Sequence, residues 1–250
     1  MTLSTPGLVL RTTPYAESSV VARVFTRQLG VQSYMIKGVR SARGRVKQNM
    51  LQPLSSLDMV VYANPKTDLN HVRELAPRHP GQMPDPVGNA LRFFMTEVLY
   101  KALRAEEPMP ELWDYIENTT SSLHPPTSAL QPPPSDLQPP TSILPIRFML
   151  TVAHHLGIEP LDNHDAHHPC FDLQEGRFVA APTETTLSPQ LSTVLHEYLS
   201  SFHSPSLPFT PLHSSVTRRD LLDALIAYFQ LHLPGFGQLH SHEILHIILR

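Results

Sequence analysis

At 250 residues, with 41% hydrophobic content, the chain has room for one large or two small packed domains, and its single cysteine, Cys170, excludes an intramolecular disulfide framework. The N-terminal residues lack the basic start and apolar run of a secretion signal, and no stretch approaches the roughly 18 apolar residues of a membrane-spanning helix, so a cytoplasmic protein is expected. The net charge of -3 hides an asymmetry: residues 1–80 hold eleven Lys/Arg against four acids, +7, while residues 81–250 hold eight against eighteen, -10. The basic portion is the candidate for binding a polyanion.

The first 80 residues read as short strands. Leu8 and Leu10, then Val20, Ala22 and Val24, alternate with polar or opposite-face residues at the period of a half-buried strand. Residues 18–26 and 31–39 flank a turn in which Gly30 can adopt the positive φ of a tight hairpin. Residues 54–62 and 69–75 supply two more strands, separated by a turn at Asn64-Pro65-Lys66. Five short strands in this length predict a small Greek-key barrel of OB type, with SH3-like barrels as the alternative.

From Asp85 the pattern becomes helical. Asp85 is a predicted N-cap, Pro86 a first-turn residue, and Leu91, Phe94, Met95, Val98, Leu99 and Ala102 share one face. A second helix over residues 111–123 carries Leu112, Trp113, Tyr115 and Ile116. A third is expected from Pro145 to a C-cap at Gly157. Ser188-Pro189 opens a fourth, Thr217-Arg218-Arg219-Asp220 resembles a capping box for a fifth, and Ser241 is a predicted cap for the last. The expected architecture is α+β: an N-terminal OB-fold barrel over residues 1–80, then an all-α domain over residues 81–250. Residues 124–145 interrupt it with eight prolines and three copies of a short Pro-Pro repeat, predicting an extended polyproline insertion.

The densest basic motif is Lys37-Gly38-Val39-Arg40-Ser41-Ala42-Arg43-Gly44-Arg45-Val46-Lys47, with five bases and no acid in eleven residues. Small residues between the cations let the backbone approach phosphates. Each Lys or Arg that displaces a condensed counterion adds salt-dependent affinity regardless of base sequence. Lys37, Arg40, Arg43, Arg45 and Lys47 are therefore the first candidates for DNA contact, followed by Arg11, Arg23 and Arg27.

Several segments resemble the RecO family. Gly7-Leu8-Val9-Leu10-Arg11, Tyr15-Ala16-Glu17-Ser18, Val24-Phe25-Thr26-Arg27, Gly30, Lys37-Gly38-Val39-Arg40 and Leu51-Gln52-Pro53 are similar, in order and spacing, to the N-terminal signature of RecO proteins. Arg147-Phe148 with His155-Leu156-Gly157 resembles the central helix of that family. Leu221-Leu222 and the stretch from Tyr228 through Pro234-Gly235-Phe236-Gly237 resemble its final helices. The resemblance implies a recombination mediator in DNA repair that binds single- and double-stranded DNA and anneals complementary strands. It also implies partnership with RecR, association with the nucleoid, and recognition of the acidic tail of single-stranded-DNA-binding protein so that recombinase can load. Arg147 matches the position implied in gripping that tail, with Phe148 and Arg92 as companions. An internal ion pair of Arg147 with Glu97 is the competing reading.

Many RecO relatives carry a four-cysteine zinc site after the central helix. Here that segment offers only His164, His167 and Cys170, without the second pair that closes a tetrahedral structural site, so no cofactor is expected. No GxSxG, Walker A, dinucleotide or HExxH motif is present, and an enzyme is not expected. Two alternatives remain: an OB-fold RNA-binding module, and a His/Asp metallohydrolase built on His164, Asp165, His167 and His168.

Overall fold

The computed structural model describes residues 2–41, 46–64, 67–79, 85–103, 107–123, 141–203 and 214–249. They divide into two compact units, residues 1–125 and 126–250. The first holds five strands, β1 (Thr2–Tyr15), β2 (Ser19–Thr26), β3 (Gly30–Ile36), β4 (Ser56–Tyr62) and β5 (Leu69–Pro77), and the helices α1 (Pro86–Ala102) and α2 (Pro110–Ser122). The expected boundary at residue 80 therefore falls inside a unit, because two helices pack with the barrel that precedes them.

The strands close in the order β1-β2-β3-β5-β4, with β4 returning to β1, and β3 meets β5 in parallel. This is the OB-type arrangement rather than an SH3-like one. Val9, Val20, Ala22, Val24, Tyr34, Ile36, Leu57, Met59 and Val61 fill its interior. Leu8 and Leu10 are also buried but stand outside that interior cluster, where α1 lies along β1. The register slips between Val9 and Arg11, leaving Leu10 as the extra residue of a β-bulge. Alternation read Leu8 and Leu10 as the buried face of a half-buried strand, whereas Val9 between them is buried as well, so β1 is covered on both faces here.

Helix α1 begins as predicted: the Asp85 carboxylate accepts from Gly88 N–H at 2.6 Å, and its six expected core residues are at most 4% exposed. Helix α2 is fixed by specific bonds to the barrel. Trp113 Nε1–H donates to the Phe25 carbonyl at 3.1 Å. Glu117, nearly buried, accepts from Ser56 Oγ at 2.8 Å and Arg78 Nε at 3.2 Å, and its Oε1 lies 3.0 Å from His79 Nε2. The link between the helices passes over the β2–β3 turn. A Cβ added to Gly30, whose φ is +64, would stand 2.5 Å from the Glu107 carbonyl oxygen.

The second unit contains α3 (Leu144–His155), α4 (Pro189–His203), α5 (Ser215–His232), α6 (Ser241–Ile248) and a hairpin of β6 (Cys170–Asp172) with β7 (Arg177–Val179). Gly157, at φ +69, ends α3 with the expected reversal, Ile158 N–H reaching the Ala153 carbonyl. Helix α5 starts earlier than the Thr217 box implied, because the Ser214 hydroxyl accepts from Thr217 N–H. Ser241 is the first residue of α6 rather than its cap. Most of the proline insertion lies outside the described residues. Its last five residues do not behave as an extended segment: Thr141–Ile143 forms a 3-10 turn, Ile143 is fully buried, and Pro145 sits in the first turn of α3. Proline there costs nothing, since first-turn N–H groups have no helical partner.

The β6–β7 hairpin lies in a stretch for which no strand was expected. Its three β6 residues are all buried, with Phe171 edge-on to Phe178. Asp172, 1% exposed, is surrounded by hydrogen-bond donors: the hydroxyls of Thr183, Thr185 and Thr186, and the N–H groups of Gln174 and Glu175. Burial pushes its pKa up, but these bonds to the ionised form outweigh burial and leave it lowered.

Candidate nucleic-acid interface

The basic loop leaves β3 through Gly38, at φ +74. Val39 is buried in the barrel core, so its neighbours Lys37, Arg40 and Ser41 are held outward and exposed. Arg40 N–H donates to the Ser18 carbonyl at 3.1 Å, and Arg40 Nη1 reaches the Ala16 carbonyl at 3.5 Å. The loop is thereby stitched to the β1–β2 turn, and two of the barrel's connections share one rim. Arg43 and Arg45 lie outside the described residues. The chain returns at Val46, packed against the core, and at exposed Lys47 before a 3-10 turn at Gln48–Leu51.

Arg11 and Arg23 face each other across β1 and β2 as direct register partners. Both guanidinium groups approach the Tyr100 ring of α1, at 5.2 and 5.4 Å from its centroid, and Arg11 Nη1 donates to the Tyr100 hydroxyl at 3.0 Å. No acid among the described residues forms an ion pair with either of them.

Arg27 behaves differently. Its Nε and Nη2 engage the Asp114 oxygens at 2.8 and 2.9 Å, a bidentate fork. Those bonds raise the Arg27 pKa further and hold the Asp114 carboxyl below the usual carboxylate range. Arg78 likewise pairs with Asp58 and Glu117. These two arginines join the barrel to its own strands and to α2, so Arg27 stands apart from the exposed set it was grouped with. Sequence reading missed Asp114, Glu117 and Tyr100, because each meets its arginine across 39 to 89 residues of chain.

Of the residues expected to grip an acidic tail, Arg92 belongs to the first compact unit and Arg147 and Phe148 to the second. Arg92 is 9% exposed and donates to the carbonyls of Leu54 at 3.3 Å and Thr120 at 2.8 Å. Burial pulls its pKa down, and Glu117 partly restores it. It braces α1, α2 and the β3–β4 connection and is not a surface cation. Phe148 is fully buried and serves as core. Arg147 is half-exposed on α3, in the other compact unit from Arg92 and Glu97. Glu97 has Lys101 one helical turn away at 3.8 Å.

The histidine segment does not converge either. His164 stacks on His196 at 4.4 Å, His167 is exposed, and Cys170 is buried in β6. Asp165 accepts from the N–H groups of His167 and His168 and lies 2.9 Å from His168 Nδ1, the geometry of a turn. Among the described residues no group of three or more His, Cys, Asp or Glu is placed to hold a metal ion, so these side chains do not fit a tetrahedral zinc site.

Comparison with known proteins agrees with this barrel. Residues 1–80 match the family model described as "Recombination protein O N terminal". Similar full-length relatives carry the name "DNA repair protein RecO": 27% identical over 250 residues in Phocaeicola vulgatus and 28% over 253 in Porphyromonas gingivalis, with 98% of each chain covered. A third, from Christiangramia forsetii, is 23% identical over 253 residues and 99% of each chain. The family model matches the closed barrel, and the relatives run on through the helices at nearly equal length, so the chain is similar to RecO proteins from its barrel through its helices.

Proposed function

We propose that this protein is a DNA-binding recombination mediator in DNA repair, and that its barrel receives the nucleic acid. The observation that carries the reading is the division of the barrel's arginines. Arg27, Arg78 and Arg92 are consumed inside the unit, whereas Lys37 and Arg40 stand exposed at the rim shared by the β1–β2 and β3–β4 connections. Loops and the outer β2–β3 surface are where OB barrels receive oligonucleotides. Arg43, Arg45 and Lys47 extend the rim in sequence, and Arg11 with Arg23 extend it along β1 and β2.

The work asked of such a surface is electrostatic. Two complementary strands repel through their phosphates, and a cationic rim that replaces condensed counterions lowers that repulsion and frees ions. Base pairing then supplies the free energy of annealing, and no covalent step is required of the protein. RecR and the acidic tail of single-stranded-DNA-binding protein are the proposed partners. Arg147 is the proposed tail contact, since a guanidinium fork suits a carboxylate. The chain is proposed to fold without zinc and to work in the cytoplasm beside the nucleoid. Among the described residues no helix is long and apolar enough to cross a membrane.

The test is a titration of labelled single-stranded DNA at several salt concentrations. Log K should fall with log salt, by about 0.7 for each phosphate neutralised. Replacing Lys37 and Arg40 by Gln should flatten the slope by about 1.4. An unchanged affinity and slope in a folded variant would remove this rim from the interface, and preferential binding of RNA in competition would favour an RNA-binding module.

A further inference from the structure

We infer that Tyr100 of α1 is a positioning residue for DNA binding, holding Arg11 and Arg23 as a two-pronged phosphate clamp on the outer face of β1 and β2. The inference rests on the DNA-binding reading and deepens it. Two guanidinium groups at directly paired cross-strand positions repel one another, and such pairs destabilise a sheet. Elsewhere in this unit arginines are neutralised by acids, with Asp114 on Arg27 and Asp58 with Glu117 on Arg78. At Arg11 and Arg23 the neighbour is instead an aromatic ring, with a hydroxyl for Arg11. A ring steers a cation through its quadrupole without cancelling its charge. Arg23 Nε is also buried without a hydrogen-bond partner. The arrangement fixes the direction of two positive groups and leaves both charges available.

The position suits a phosphate chain. Arg11 and Arg23 lie four residues from the Tyr15–Ser19 end of the hairpin, about 13 Å at 3.3 Å per residue. Arg40 is bonded at the turn beyond that end. Ser33 on β3 is the register partner of Arg23 and continues the same row across β2 and β3. A strand gripped at the rim by Arg40 could therefore run down the hairpin to the clamp. On this view α1, which follows the family's N-terminal segment, completes the binding face that the barrel begins.

The experiment titrates a labelled oligo(dT) against the full chain at several salt concentrations, using wild type, Tyr100→Phe, Tyr100→Leu, the Arg11→Gln/Arg23→Gln pair, and that pair with Tyr100→Leu. Tyr100→Phe keeps the ring and should stay within about twofold of wild type, whereas Tyr100→Leu should bind about fivefold more weakly. The arginine pair should flatten the salt slope by about 1.4, and adding Tyr100→Leu to it should change nothing more. A Tyr100→Leu defect that persists undiminished in the arginine-pair background overturns the inference, as does normal affinity and slope in folded Tyr100→Leu. Should that variant fail to fold, the Nε–H resonances of Arg11 and Arg23 in wild type decide the matter: they must shift on adding saturating oligo(dT). Wild type that binds no DNA at any salt defeats the functional reading itself. Wild type that binds with a slope indifferent to Arg11 and Arg23 defeats only the clamp.

Discussion

Replacing Arg92 by Met tests whether this arginine braces the first unit or serves a partner. The side chain of Met fills much of the same space but donates nothing. The Leu54 carbonyl loses its Arg92 donor at 3.3 Å, and the Thr120 carbonyl loses one at 2.8 Å while keeping a 3.3 Å bond from Leu123 N–H. A hydrogen bond from a charged donor contributes about 1.5–3 kcal/mol, and an orphaned buried acceptor costs about 1–3 kcal/mol. The longer Leu54 bond belongs at the low end of that range. Relief of the buried guanidinium's own desolvation, visible in its lowered pKa, offsets part of the loss. The net expectation is a destabilisation of about 3 kcal/mol. Urea unfolding followed by tryptophan fluorescence reads this directly, because Trp113 is the only tryptophan and is 3% exposed against the barrel. Arg92→Lys should recover only part of the loss, since an ammonium lacks the fork that spans two carbonyls. A midpoint and slope unchanged in Arg92→Met, with acidic-peptide binding abolished, would refute the reasoning and restore Arg92 as a surface contact.

Three further outcomes are expected. Gly30→Ala combines a left-handed backbone, worth about 1–2 kcal/mol against an L side chain, with overlap on the Glu107 backbone; it should lower the denaturation midpoint of the Trp113 signal, and a neutral result would mean that the α1–α2 link moves aside freely. Because the folded pKa of Asp172 is lowered, its stabilisation is fully present above the unfolded value of about 3.9 and is lost as pH falls through the folded value. Thermal melts followed by circular dichroism should therefore show wild type losing stability below about pH 4, whereas Asp172→Asn should be less stable at pH 7 and lack that acid component. Replacing residues 125–140 by a short Gly/Ser linker should alter stability by about 1 kcal/mol or less, since loop closure grows only logarithmically with length. Extending the deletion through Ile143 and Leu144 should cost several-fold more in the same urea titration, because both are buried.

The barrel and its helices were legible because local chemistry specifies them. Gly30 marks its hairpin, Asp85 its helix start and Gly157 its helix end, each through backbone demands met within a few residues. The two-sided burial of β1 was not legible, because nothing near Leu8 announces that α1 will cover it. The β6–β7 hairpin escaped for a related reason: three-residue strands are too short for alternation to register, and Asp172 looks like any loop acid until Thr183, Thr185 and Thr186 fold over it. Among the candidate contacts, the exposure of Lys37, Arg40 and Lys47 was readable from charge density, since closely spaced bases are not readily buried together. Which arginines would be neutralised was not readable. Arg27 and Arg11 look alike in sequence, and only the docking of α1 and α2 gives one an aspartate and the other a tyrosine.

The closure of β1 onto β4 also bears on how the chain acquires its shape. Thr2 pairs with Tyr62, about sixty residues away, and Leu8 with Ser56. Such non-local pairing gives the first unit a high contact order, and a barrel of this kind folds in milliseconds to seconds rather than microseconds. The opening strand must therefore wait during synthesis until β4 has been made, with the N–H and C=O groups of one long edge unpaired meanwhile. Helix α2, whose Trp113 and Asp114 seal the β2–β3 end, arrives later still. A ribosome that pauses between Pro77, the end of β5, and Pro86, the start of α1, would hold a closed but uncovered barrel, and that interval is where this chain is most exposed to aggregation.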